Sequence, residues 1–209
     1  RDNQWTDITT KILNIDRRSS VLRETKETKI KTTVNLEQSK PILINTGIDF
    51  FDHMLEQLAK HSNISMIIDC DGDIEVDEHH TVEDVGIAVG QAFKEALGDK
   101  KGIHRFSEAN VPLNEALAQC IIDISGRAFF VFNVELPKAK LGEFDVELVP
   151  EFFQAFSANS GITLHLNSPY WNNLHPITEA LFKAFALALD SACSLDSRTS
   201  EVPSTKGTL

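Results

Sequence analysis

One pattern of aromatic pairs, histidines and glutamates occurs twice in this chain, and any fold must house both copies in equivalent settings. The first copy has Phe50-Phe51 in a stretch of helical spacing, then His79-His80-x-x-Glu83 opening a second such stretch. The second has Phe152-Phe153, then His175-Pro176-x-x-Glu179. The Phe pairs lie 102 positions apart and the two glutamates 96. Near-equal offsets imply a duplication with drift in loop length.

Apolar spacing assigns elements to each copy. Residues 26–36 alternate around Ile30, Thr32, Val34 and Leu36 and predict a strand, as does Ile42-Leu43-Ile44. Residues 49–61 predict a helix with Asp49 as its cap, and residues 64–69 and 74–76 a hairpin turning at Asp71-Gly72. Thr81 opens a helix with Val82, Val85, Val89 and Phe93 on its apolar stripe and Gly98 at its end. Strands follow over 116–124 and 128–136, a helix over 147–159, a strand over 162–166, a helix over 176–192 and a loop over 203–207. Strands and helices do not alternate as in a parallel βαβ chain. The expectation is therefore an α+β fold of two duplicated halves, each a mixed sheet with helices packed on one face. Residues 1–20 read as an N-terminal linker or short helix, 21–110 as the first half, and 111–209 as the second half with a C-terminal loop.

Composition removes several functions. The net charge of −11 over 209 residues argues against a broad polyanion-binding face, so nucleic acid is not an expected partner. Cys70, Cys120 and Cys193 lie far apart without a CxxC, which is neither a disulfide framework nor a zinc ribbon. No apolar run approaches the roughly 18 residues a membrane span needs, so no membrane partner is expected. The N-terminus shows no signal-peptide pattern, and a reducing cytoplasm is the expected compartment. A chain beginning at Arg1 is expected to be part of something longer.

The densest chemistry is Asp77-Glu-His-His-Thr-Val-Glu-Asp84. On a helix, His79 and Glu83 share a face, with His80 and Asp84 beside them. Imidazole and carboxylate together suit Mn, Fe or Zn. The same residues also suit a capped helix start with solvated histidines. His53, after Asp52, has a carboxylate neighbour able to orient its ring, and His61 and His165 are further candidates. Arg105, Arg127, Lys183 and Lys206 sit beside turn or small residues, which suits either a phosphate or ordinary surface exposure. Glu27 opens a strand and is a surface carboxylate unless a metal lies nearby.

Together the segments TKET (25–28), TGIDFFDHMLEQLAKH (46–61), GDIEVDEHHTVED (72–84), GIHRF (102–106), DISGR (123–127), TLH (163–165), EALFKAF (179–185) and PSTKG (203–207) resemble the imidazoleglycerol-phosphate dehydratase family of histidine biosynthesis. The resemblance implies a duplicated α+β fold in a self-associated particle of 24 subunits, with two Mn2+ ions at sites between subunits. It implies metal ligands at His53, His79, His80, Glu83, His165, His175 and Glu179, and a small phosphorylated imidazole substrate held by Gln57, Arg105, Arg127, Lys183, Ser204 and Lys206. Glu27, Glu83 and Glu179 are its implied catalytic carboxylates. The implied reaction removes water from D-erythro-imidazole-glycerol phosphate to give imidazole-acetol phosphate. Metal at the ring nitrogen would stabilise an imidazolate able to expel the hydroxyl, and a carboxylate would take the more acidic proton that results. The N-terminal segment resembles the linker of a two-enzyme form in which a histidinol-phosphate phosphatase comes first.

The chain departs from the family pattern. Pro176 stands where a second histidine is usual, Trp171 where a glycine is, Asn114 where an aspartate is, and Ser107 where a glycine is. Proline cannot ligate a metal, so one of the two sites is in doubt, although proline suits a helix's first turn. Two expectations follow: a manganese-dependent lyase, or an impaired homologue serving as an assembly subunit. A metal-dependent hydrolase is a third, weaker one.

Overall fold

The computed structural model describes residues 16–209. Residues 1–15 of the expected N-terminal linker or helix (1–20) therefore lie outside the described residues. Ten strands and four helices are described: β1 Arg18–Glu24, β2 Thr28–Asn35, β3 Ile42–Asn45, α1 Asp49–His61, β4 Ser65–Gly72, α2 Glu78–Leu97, β5 Phe106–Leu113, β6 Ala116–Asp123, β7 Phe129–Asn133, β8 Lys140–Leu141, β9 Phe144–Asp145, α3 Leu148–Ser160, β10 Thr163–Tyr170 and α4 Leu174–Cys193.

The two halves repeat one topology. Sheet one runs β1-β2-β4-β3 and sheet two β5-β6-β10-β7, so each places its fourth strand between its second and third. In both sheets the edge strand β3 or β7 is parallel to its neighbour and the remaining pairs are antiparallel. The small β8–β9 hairpin belongs only to the second half. β5 runs across the 110/111 division drawn from sequence and pairs along its length with β6. β1 likewise begins inside the segment assigned to the linker.

Side-chain alternation explains the layers. Ile30, Thr32 and Val34 of β2 are buried while Lys29 and Lys31 are exposed, so one face of sheet one turns inward. In β10, Leu164 and Leu166 are the buried residues, which directs His165 to the opposite face. The inward faces receive helices: α2 packs on β1 and β2, and α4 on β5 and β6. The helices also pair across the halves, α2 with α3 and α1 with α4. One continuous cluster of buried apolar residues therefore spans both halves. Phenylalanines dominate its centre. Phe153 and Phe182 meet in a tilted pair with ring centres 4.8 Å apart, and Phe156 meets Phe185 edge-on at 5.1 Å. Such pairs add about 0.5–1.5 kcal/mol each beyond their burial.

Several local expectations are corrected. The hairpin at Asp71-Gly72 does not form. β4 runs through to Gly72, opposite Thr28, and residues 74–76 form a turn closed by Val76 N–H donating to Asp73 O at 2.7 Å. Gly72 is small because the Thr81 side chain lies against it. Asp49 does not cap α1. Ile48 holds that position, and Asp49 instead places an acid in the first turn, where the helix dipole favours it. α2 and α4 begin at Glu78 and Leu174, earlier than Thr81 and Pro176, because Asp77 and Asn173 cap them. The Phe pairs are not equivalent. β4 and β10 begin at Ser65 and Thr163, 98 positions apart, and α1 joins β4 as α3 joins β10. At that offset buried Met54, Leu55 and Leu58 match buried Phe152, Phe153 and Phe156, one helical turn from the 102-position register.

Candidate active site

Both helix starts are built alike. Asp77 leaves an extended backbone and its carboxylate accepts the backbone N–H of His79 at 2.9 Å; the Asn173 side chain accepts that of His175 at 3.1 Å. Each cap satisfies a donor that the first turn leaves free. One turn later the rings meet their carboxylates. His79 Nε2 lies 3.8 Å from Glu83 Oε2, and His175 Nε2 lies 3.3 Å from Glu179 Oε2. The helix starts are 96 positions apart, so His79 matches His175 and His80 matches Pro176. Pro176 is the third helical residue, where the missing N–H would be unpaired anyway.

The surroundings of the two starts differ. His80 Nδ1 is 3.2 Å from Asp73 Oδ1, and this hydrogen bond raises the ring above its ordinary pKa, with Glu27 adding to the rise. Asp73 N–H also donates to the Glu27 carbonyl at 3.0 Å, tying the Glu27 turn to the approach to α2. Behind them buried Asp84 accepts Arg23 Nη2 at 2.6 Å and Thr28 Oγ1 at 2.5 Å, which fixes the same turn from the other side. His79, His80, Glu83 and Glu27 thus form one neighbourhood.

His53, His175, Glu179, Lys183 and Gln57 form a second. Lys183 Nζ is 2.6 Å from Glu179 Oε1, one turn along α4. Burial alone would raise the Glu179 carboxyl, but the Lys183 hydrogen bond and charge, with His53 and His175, hold it below its ordinary value. His61 sits 3.1 Å from Gln57, and burial followed by the Lys183 and Lys60 charges lowers it. A cleft of about 670 Å³ opens here, lined by His53, His175, Phe50 and the β8–β9 hairpin. The Phe50 ring meets His175 edge-on at 5.6 Å. Asp52 does not orient His53; its Oδ1 accepts Thr46 N–H at 2.8 Å and Thr46 Oγ1 at 2.5 Å instead.

The remaining cations gather elsewhere. Arg105, Arg127, Ser204 and Lys206 line a second cleft of about 790 Å³, between the Ser125-Gly126 turn and the C-terminal loop. Lys183 is not among its lining residues. Arg105 is braced by Asp123 Oδ1 at 2.7 Å and by Pro203 O at 2.8 Å. His165 stands apart, opposite Ile121 and Val131 on the outward face of sheet two.

Sequence spacing missed Asp73 and Glu78, and it gave no partner for Asp84. Asp73 and Asp84 order the first neighbourhood through partners far along the chain. Glu78 borders the 670 Å³ cleft with one carboxylate oxygen buried and unpartnered among the described residues, and burial raises its pKa. Its place beside His79 was the only signal for it.

The donor set fits a divalent transition metal in kind, as imidazole nitrogen with carboxylate oxygen. Among the described residues no three His, Cys, Asp or Glu side chains converge, so each helix start provides a His–Glu pair and not a complete coordination shell.

Comparison with known proteins places the chain among the hydro-lyases. A family model described as imidazoleglycerol-phosphate dehydratase matches residues 46–189, and the chain belongs to that family. It is 54% identical to the imidazoleglycerol-phosphate dehydratase of Ruegeria pomeroyi over 194 residues, 92% of this chain and all of that protein. The Geobacter sulfurreducens dehydratase is 52% identical over 195 residues, again over its full length. Among solved structures, the Staphylococcus aureus dehydratase is 37% identical with a TM-score of 0.79, covering 86% of this chain and 99% of its own. The Pyrococcus furiosus dehydratase is 33% identical with a TM-score of 0.78, covering 90% of this chain and all of its own.

Proposed function

We propose that this chain is a metal-dependent dehydratase of histidine biosynthesis that converts D-erythro-imidazole-glycerol phosphate to imidazole-acetol phosphate in the cytoplasm. The observation that carries the reading is the cleft lined by Arg105, Arg127, Ser204 and Lys206, a cationic pocket of the chemistry a phosphate ester needs. A pure scaffold has no use for it.

Dehydration removes a proton from one carbon and hydroxide from its neighbour. A substrate anchored by its phosphate has its ring and hydroxyl-bearing carbons confined, which lowers the entropic part of the barrier. A carboxylate held ionised is ready to accept the proton, and Glu179 is in that state because of Lys183. Glu27, held by Asp73 on one side and the Asp84 brace on the other, is the second acceptor. Gln57, which pairs with His61, is the proposed further substrate contact. Manganese bound by His53, His79, His80, Glu83, His165, His175 and Glu179 would supply Lewis acidity to the imidazole ring. Since His165 faces outward and no three donors converge among the described residues, the proposed coordination shells are completed between copies. Phe106 and Phe129, 60% and 64% exposed on sheet two, supply apolar surface for such contacts, and a particle of 24 subunits is the proposed assembly.

A second reading is favoured by Pro176: an impaired homologue retained as an assembly subunit. The deciding experiment measures metal content per subunit and turnover of the substrate with added manganese. Bound metal with turnover is expected. One or no metal and no turnover establishes the second reading, and light scattering giving a monomer or dimer overturns the shared sites.

A further inference from the structure

Lys100 lies in the connection from α2 to β5 and is only 8% exposed. No Asp or Glu side chain among the described residues is within ion-pair distance of it. The neighbouring acids are engaged elsewhere: Asp99 with Lys101 at 2.6 Å, and Asp123 with Arg105 at 2.7 Å. A lysine so largely covered, with no Asp or Glu beside it, is costly, so its position requires a reason.

The position is specific. A Cβ built on Gly126 would stand 3.0 Å from Lys100 Nζ and 2.9 Å from the Leu209 carbonyl carbon. Gly126, at φ +73°, therefore has no side chain for two reasons: a left-handed backbone, and the lysine pressed against it. Gly126 and Arg127 line the cationic cleft, and Lys100 Nζ lies against the Gly126 backbone without itself lining it. The connection from 98 to 106 also holds two cations in left-handed backbone that side chains rarely adopt, Lys100 at φ +59° and Arg105 at φ +73°. Arg105 shares its charge with Asp123, so its field in the cleft is partly cancelled. Lys100 has no Asp or Glu partner among the described residues.

We propose that Lys100 is a positioning residue for the phosphate group, a buried charge acting through the Gly126 turn to hold an anion in the cleft of Arg105, Arg127, Ser204 and Lys206. This rests on reading that cleft as a phosphate site. Burial, with the Lys94 and Arg105 charges, lowers the Lys100 pKa, and an anion in the cleft would push it back up.

Inorganic phosphate, titrated calorimetrically into the intact protein, is the probe. Lys100→Met should weaken binding about tenfold and flatten its salt dependence, while Lys100→Arg stays within about threefold of the parent. The Arg127→Met and Lys206→Met variants serve as controls. If they lose phosphate while Lys100→Met binds it as the parent does, the cleft stands and the role of Lys100 is overturned. If the parent binds no phosphate, the cleft reading fails and takes this proposal with it. A readout free of folding effects uses the parent protein alone: the pH profile of Lys100 acylation by acetic anhydride, followed by mass spectrometry. Its midpoint should rise when phosphate is added, and an unmoved midpoint overturns the proposal.

Discussion

At the start of α2 and at the start of α4 the chain carries out the same local plan with different materials. Asp77 and Asn173 cap, His79 and His175 follow, and Glu83 and Glu179 answer one turn later. The next position separates them. In the first half His80 pairs with Asp73, the residue directly after β4. In the second half the residue directly after β10 is Trp171, and the partner position is Pro176. Both members of a polar pair have been exchanged for apolar ones, so the change is of a unit and not of a single side chain. Trp171 packs against the core, which the pair's first-half counterpart does not. The lesson is that backbone symmetry outlasts site symmetry: caps and ladders constrain the fold, while the side chains of the first turn remain free to diverge.

The largest effect should come from the packing beneath the site. Phe182 joins α4 to α3, with ring centres 4.8 Å from Phe153 and 5.4 Å from Phe152. Phe182→Ala should cost about 3–5 kcal/mol in denaturant unfolding. Its counterpart 96 positions earlier is Gly86, where a Cβ would meet Phe152 O at 2.9 Å; at Gly90 one would meet Phe156 O at 2.8 Å. Here addition is the damaging change. Gly90→Val should destabilise by about 1–3 kcal/mol, measured in the same way.

Restoring the lost pair tests the asymmetry itself. Trp171→Asp with Pro176→His should raise manganese affinity of the metal-stripped protein about tenfold or more, read by calorimetry, by analogy with what ligand supports contribute. An unchanged isotherm would show that the second half never lacked this ligand. The same comparison has a pH signature. His80 is raised by Asp73, so the stabilisation from that pair is present below the ordinary value of 6.5 and disappears as pH climbs through the raised one. Asp73→Asn should return His80 toward 6.5, seen in the pH profile of ring C–H exchange. His61 beside Lys183 is lowered, so the sign reverses. Below 6.5 the unfolded chain takes up that proton more readily, and stability falls with falling pH. His61→Gln should remove this tilt. The smallest effect concerns the thiols. Burial pushes Cys70 and Cys193 up to about 12, so iodoacetamide at pH 8 should leave both unmodified in the native protein.

The four helices were legible because their apolar residues recur at helical spacing. The pairing of histidine with glutamate was legible for the same reason, since four residues is one turn. β1 and β5 were not legible. Their alternation is of half-exposed against exposed residues, as in Arg18-Ser-Ser-Val-Leu-Arg-Glu24, and only hydrogen bonding to β2 and β6 makes them strands. The Phe register slipped because α3 is buried on more than one face, so a shift of one turn still aligns apolar residues. Spacing showed Lys183 only as a cation beside small residues, and did not show its pairing with Glu179 at 2.6 Å. Long-range partners such as Asp84 with Arg23 leave no periodic trace at all.

The crossed helix pairs also bear on how such a molecule can arise. Exchanging the halves converts the α2–α3 contact into the α4–α1 contact, which is the self-complementarity of a two-fold dimer. A precursor one half as long would have had to meet a second copy of itself before its apolar helix faces were covered. Joining two such halves in one chain would remove that concentration dependence and let each mutate alone, and a proline in one first turn opposite a histidine in the other is a change that no homodimer could make.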